Sequence, residues 1–210
     1  MQPSMELRWF LQGTIPVEIE KWFNNGPIAP NDEGERYDSY LVLPDHTDLS
    51  VKLRNQQKFE IKKRIADCGI KVLDTDGGRA EGRVEQWVKW SFSLEANSQG
   101  QPDTSELNGF WVGVRKLRRQ IKYKMAEDGS VEAIDASIRV DQGCYLELTR
   151  IWVRNKPWWS LGFEAFGEMD TVEHNLQLTL NHVLAERDFP PMEAAPSFAY
   201  PEWLQRVMRD

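Results

Sequence analysis

Two short stretches of this 210-residue chain concentrate cationic side chains. From Val51 to Arg64, six basic residues (Lys52, Arg54, Lys58, Lys62, Lys63, Arg64) meet a single acid, Glu60. From Val114 to Lys124, Arg115, Lys116, Arg118, Arg119, Lys122 and Lys124 meet none. In an extended chain alternate side chains share a face, so parity decides which of these charges can act together. Ser50, Lys52 and Arg54 oppose Leu49, Val51 and Leu53, while Glu60, Lys62 and Arg64 oppose Phe59 and Ile61. Lys116 and Arg118 stand with Val114, and Glu85, Trp87, Lys89 and Ser91 oppose Val84, Val88, Trp90 and Phe92. Carboxylates alternate in the same way elsewhere: Glu6 with Arg8, Asp38 with Tyr40, Glu147 with Tyr145 and Thr149, and Glu164 with Phe166 and Glu168. Guanidinium and ammonium groups bind phosphate oxygens, and carboxylates are hard oxygen ligands for Mg²⁺ or Mn²⁺. If the strands close with their polar faces inward, the lining is suited to a compact polyanion held with a divalent metal. If they stay open, the same charges form the solvated face of an antiparallel sheet, a pattern any one of these strands would fit alone.

The overall charge, 26 Lys+Arg against 33 Asp+Glu for a net of −7, disfavours long nucleic acids and anionic membranes as partners. The two basic stretches carry +5 and +6, so the rest of the chain carries −18. No window approaches the roughly 18 uninterrupted apolar residues of a spanning helix. The opening MQPSMELRWF lacks a basic-then-apolar leader pattern, and a soluble, cytoplasmic protein is expected. Cys68 and Cys144 are far apart and do not cluster with His46, His174 or His182, so zinc and haem-attachment spacings are absent. Neither a P-loop nor a GxGxxG turn is present, because Gly77-Gly78 with Gly82 lacks a strand-to-helix context.

The elements that must position these residues read as one domain, residues 1 to 210, of mainly β (α+β) class. Strand-like runs cover Met5–Gln12, Arg36–Leu43, Leu49–Asn55, Lys58–Arg64, Val84–Leu94, Phe110–Met125, Val131–Asp141, Cys144–Val153 and Trp158–Glu168. The turn formers between many of them predict a meander of antiparallel sequence neighbours. Asn31 to Glu35 is expected to be a loop, and Asp74 to Gly82 and Ala96 to Asn108 to be surface loops or lids. A short helix carrying Val17, Ile19, Trp22 and Phe23 should open with Thr14 as cap. A second should open with an Asp170/Glu173 capping box and present Val172, Leu176, Leu180, Val183 and Leu184 to the sheet. The tail from Pro190 to Asp210 should form a strap ending in a docked helix.

The ordered series Glu6-Leu7-Arg8, Asp38-Ser39-Tyr40, Leu49-Ser50-Val51-Lys52-Leu53-Arg54, Phe59-Glu60-Ile61-Lys62, Val114-Arg115-Lys116-Leu117-Arg118 and Tyr145-Leu146-Glu147-Leu148 resembles the CYTH superfamily, the triphosphate tunnel metalloenzymes. That superfamily includes thiamine triphosphatases, class IV adenylate cyclases, inorganic triphosphatases and RNA triphosphatases. The resemblance spans about residues 5 to 168. It implies an antiparallel eight-stranded tunnel with a charged interior and helices packed outside. It also implies phosphate binding by Lys52 with Arg54, by Lys62, and by Lys116 with Arg118, to which the parity of the remaining strands adds Arg8, Arg64 and Lys89. The metal, Mg²⁺ or Mn²⁺, would fall to Glu6, Glu147 and Glu164. Two departures stand out. Where the family reads Glu-x-Glu-x-Lys this chain has Glu6-Leu7-Arg8-Trp9-Phe10, and the late acid pair reads Glu147-Leu148-Thr149.

The expected ligand is therefore a triphosphate, a nucleoside triphosphate or a short polyphosphate. Metal-dependent phosphohydrolase activity is the first reading, with one metal polarising the terminal phosphoryl group for in-line attack by water. The alternatives are a non-catalytic phosphate-binding module of the same fold, in which Arg8 replaces the metal's charge, and a calycin-like barrel or scaffold protein with these cations in bulk solvent. Pairing of two tunnels as a homodimer is left open.

Overall fold

A computed structural model describes residues 1–94, 110–126, 128–186 and 188–209. The strands are β1 (Gln2–Gln12), β2 (Asn31–Leu41), β3 (Leu49–Arg54), β4 (Lys58–Thr75), β5 (Gly78–Ser93), β6 (Trp111–Met125), β7 (Val131–Ile134), β8 (Gly143–Val153), β9 (Lys156–Phe166) and β10 (Phe189–Met192). The helices are α1 (Val17–Asn24), α2 (Val172–Glu186) and α3 (Tyr200–Arg209).

Eight strands in the order β1-β9-β8-β6-β2-β3-β4-β5 form an antiparallel sheet that pairing of β1 with β5 closes into a barrel. β7 extends β6 on the side, and β10 adds to β5 in parallel. Sequence neighbours pair in β2-β3-β4-β5 and in β8-β9, as the turn chemistry predicts. The tight turns at Asn55-Gln56 and Arg154-Asn155 hold positive φ at both central residues, the twist that hairpins favour. Closure, in contrast, comes from the long-range pairs β1–β9, β1–β5 and β2–β6, which no local turn encodes.

The alternation sorts the two faces. Outward-facing Leu7, Leu146, Leu148, Leu161 and Phe163 pack under α2, whose Val172, Leu176, Leu180, Val183 and Leu184 are all buried, as expected. Inward-facing residues are polar through the middle of the barrel and apolar at one end. There Phe10, Val112, Val114, Ile151 and Val153 meet Trp203, Leu204 and Val207 of α3. Phe10 lies between Trp203 at 4.5 Å and Phe198 at 6.2 Å, stacked on both. The C-terminal helix thus covers one end of the barrel with an apolar layer. No helix among the described residues is long and apolar enough to cross a membrane.

Several boundaries differ from the sequence reading. The segment expected to be a loop from Asn31 to Glu35 is the first part of β2, paired to β6 through a register shift between Asp32 and Glu35 where Gly34 adopts φ 72°. The expected Asp74–Gly82 loop is instead the tip of the β4–β5 hairpin. Its polar residues alternate with Leu73 and Ala80, which are buried partners across the ladder. β7 stops at Ile134 because Asp135 turns the chain, accepting hydrogen bonds from the Ser137 amide and hydroxyl. α1 begins after Pro16 with no side-chain cap. α2 is preceded by a turn in which the Thr171 and Val172 amides donate to the Glu168 carbonyl. The Ala96–Asn108 loop lies outside the described residues.

Candidate functional site

The polar mid-section of the barrel encloses a cavity of about 240 Å³. Eight basic residues line it: Arg8 of β1, Arg36 of β2, Lys52 and Arg54 of β3, Lys62 of β4, Lys89 of β5, and Lys116 and Arg118 of β6. Five acids join them, Glu6, Glu33, Glu60, Glu147 and Glu164, leaving three positive charges in excess. Buried Asp38, which shares the strand face of Arg36 and Tyr40 and pairs with Arg36 and Lys116, lowers that excess to two. Five of the twelve cations in the two basic stretches (Lys52, Arg54, Lys62, Lys116 and Arg118) thus face inward. The others do not line it: Arg115 lies over the Trp152 ring at 3.9 Å, Arg119 pairs with Glu20 at 2.9 Å, and buried Lys122 donates to the Ala136 and Ile138 carbonyls.

The charges fall into four clusters, each built by cross-strand register. Glu6 and Glu164 are opposite each other on β1 and β9, and Lys62 of β4, two strands from β1, donates to both, at 2.9 Å to Glu164. Burial works against the Lys62 charge, but Glu164 and Glu6 outweigh it and hold its pKa above the usual lysine value. Burial likewise opposes the Glu164 carboxylate, and Lys62, Lys89 and Arg8 keep it well below the ordinary range.

The second cluster centres on Glu147. Arg8 Nη2 meets its Oε2 at 2.6 Å, Arg118 Nη1 meets its Oε1, and Arg118 Nη2 reaches Glu33 at 2.6 Å. The Arg8 and Glu147 side chains are only 5% and 3% exposed, so neither charge can be left to water. Arg8, Gly162 and Glu147 are aligned on three consecutive strands, β1, β9 and β8. A Cβ at residue 162 would lie 2.9 Å from Arg8 Cζ, so the glycine supplies the space in which the guanidinium crosses to its partner. Burial disfavours the Glu147 charge, yet Arg118 and Arg8 depress its pKa.

In the third cluster Glu60 Oε2 is ion-paired with Lys52 Nζ at 2.9 Å and Arg54 Nη2 at 3.1 Å, which brings its pKa down to about 2 despite burial. Lys52 is lowered to about 8, by burial first and then by neighbouring Arg54. The fourth cluster sits against α3. Lys116 Nζ donates to the Tyr40 hydroxyl at 2.6 Å, lies 3.2 Å from Asp38 and stands 3.9 Å from the Tyr200 ring centroid. Burial pushes Lys116 well below the usual lysine range, with Asp38 opposing.

Not every polar atom on the wall is consumed by the protein. Arg8 Nε, Arg54 Nε, Trp87 Nε1 and Thr149 Oγ1 are buried on cavity-lining residues and have no hydrogen-bond partner among the described residues. Among the described residues Lys89 has no carboxylate within ion-pair distance.

Of the residues expected to bind phosphate, Arg8, Lys52, Arg54, Lys62, Lys89, Lys116 and Arg118 share this cavity, and so do the expected metal ligands Glu6, Glu147 and Glu164. Arg64 does not line it. The ladder shifts register just after it, and its guanidinium pairs with Glu85. The residues do not fit a divalent cation. Glu6 and Glu164 share Lys62, Glu147 holds two guanidinium groups, and no cluster of three metal-ligating side chains occurs among the described residues. Sequence reasoning missed Arg36 and Glu33, although Arg36 shares the parity of Asp38 and Tyr40. It also missed Tyr200 and Pro201, which line the cavity from the start of α3 and carry no local signal of that role.

No family model and no curated protein matches the chain. Among solved structures it is similar to the PH1819 protein from Pyrococcus horikoshii OT3, at 11% identity and TM-score 0.45 over 97% of this chain and 98% of the other. It is also similar to the Pct1 RNA triphosphatase of S. pombe, solved in complex with the Spt5 CTD, at 11% identity and TM-score 0.39 over 99% of this chain and 82% of the other.

Proposed function

We propose that the barrel cavity binds a compact polyphosphate, such as tripolyphosphate or the phosphoryl chain of a nucleotide. The observation that carries this reading is the surplus of positive charge along the cavity lining together with unpaired donors among its described residues. Six acids, Asp38 included, do not balance eight bases, and among the described residues Lys89 has no carboxylate partner. A polyanion supplies the missing charge, and its oxygens are acceptors for Arg8 Nε, Arg54 Nε, Thr149 Oγ1 and Lys89. The apolar layer beneath α3 closes one end, which favours a short anion over a strand threading through.

Thermal unfolding with tripolyphosphate tests it. At about a hundredfold over Kd the ligand stabilises by about 2.7 kcal/mol, which for a domain of this size raises Tm by about 5–10 °C. Orthophosphate should do far less, and the double variant Lys52→Ala/Arg54→Ala should lose most of the shift. A wild-type protein that no polyanion stabilises would sink the proposal.

A further inference from the structure

We infer that the cavity takes its anion without a divalent cation, because Arg8 and Lys62 occupy the carboxylates a metal would need and supply the positive charge themselves. This rests on the polyphosphate-binding reading. Three observations lead to it independently of any ligand. Both oxygens of Glu147 are engaged, Oε2 by Arg8 and Oε1 by Arg118. Glu6 Oε1 and Glu164 Oε1 are bridged by one ammonium, Lys62 Nζ. The Arg8 guanidinium lies over Gly162, the one position on β9 between Arg8 and Glu147, where any Cβ would collide with it.

These contacts are hard to trade for a metal. A cation drawing Glu6 and Glu164 away from Lys62 would leave Lys62 facing Lys89, its direct partner across the β4–β5 ladder, with no acid between them. A cation at Glu147 would have to displace two guanidinium groups or sit against them. A polyanion asks for neither exchange, since it meets Arg8, Lys62 and Lys89 from the cavity side while the carboxylates keep their partners. The arrangement also makes a prediction of sign. Divalent cations bind tripolyphosphate in solution and lower its charge, so they should compete with the protein for the anion instead of assisting it.

Isothermal titration with tripolyphosphate in EDTA, repeated in excess Mg²⁺, reads this directly. The expected result is binding in EDTA with apparent affinity at least about tenfold weaker in Mg²⁺. Affinity that is unchanged or rises with Mg²⁺ overturns the inference while leaving polyphosphate binding intact. Absence of binding in both buffers overturns both. As a second measurement, Mn²⁺ alone should remain free in solution by electron paramagnetic resonance. Retention of about one Mn²⁺ per chain that Glu147→Gln abolishes would refute the assignment.

Discussion

Replacing Glu147 by glutamine separates the two roles its charge can play. The side chain is 3% exposed and holds Arg8 at 2.6 Å, so the neutral amide strands the buried Arg8 guanidinium, while half-buried Arg118 keeps its contacts to Glu33. Breaking a buried ion pair from one side costs about 3–5 kcal/mol. With about 2–4 °C per kcal/mol in a chain of this size, the unliganded Tm should fall by about 6–20 °C. Anion binding should move the other way. The excess on the cavity wall grows from three positive charges to four. One unit charge at about 6 Å is worth about 3 kcal/mol at an effective dielectric near 20. Side-chain rearrangement and salt absorb part of this, leaving an expected gain of about tenfold in tripolyphosphate affinity. Differential scanning calorimetry with and without ligand, together with titration calorimetry in EDTA, measures both quantities. A variant that is destabilised and also binds the anion more weakly would show that Glu147 serves the ligand, and the electrostatic account would be wrong. An unchanged Tm would show that the Arg8–Glu147–Arg118 cluster is not held as described.

Two further outcomes follow from the same geometry. Gly162→Ala puts a Cβ 2.9 Å from Arg8 Cζ and should cost about 1–3 kcal/mol in urea denaturation, with affinity for tripolyphosphate reduced as the guanidinium is pushed aside; a neutral effect on both would deny that Gly162 makes room for Arg8. Lys52, at about 8 in the fold against 10.5 ordinarily, binds protons less readily folded than unfolded, so between those values the unfolded state carries more protons and stability should rise with pH. A bound polyanion reverses that bias by favouring the ammonium form. Near pH 8.5 binding should therefore take up close to one proton, and affinity should fall as pH rises toward 10. Titrations in buffers of different ionisation enthalpy measure that uptake, and zero uptake, or an affinity that rises with pH, would contradict it.

Much of the site is legible because strand parity is a local property. The alternation of Lys52 with Arg54, Lys62 with Glu60, and Lys116 with Arg118 places each pair on one face whatever the strand's neighbours are. The outward apolar set and the α2 stripe are legible for the same reason, since both periods are written in consecutive residues. Boundaries failed where local polarity and tertiary burial disagree. Asp74 to Gly82 looks like a loop until Leu73 and Ala80 find buried partners, and Asn31 to Glu35 looks like one until β6 pairs with it. Arg64 has the right parity but lies beyond the cavity, because the register shift that follows it leads its side chain to Glu85.

Amphipathic strands with cationic polar faces, and a helix to cover the apolar ones, are written in consecutive residues of this chain. That those faces close on each other, and which carboxylate each cation takes, follows from the pairing of strands remote in sequence. Arg8 and Glu147 are 139 residues apart, Lys62 and Glu164 are 102 apart, and Tyr200 reaches the cavity only because α3 covers the barrel's end. Whether an acid binds a metal or neutralises a base depends on distances of a few ångströms between strands remote in sequence. Those distances are set by closure of the barrel and by the gap at Gly162, and no spacing along the chain contains them.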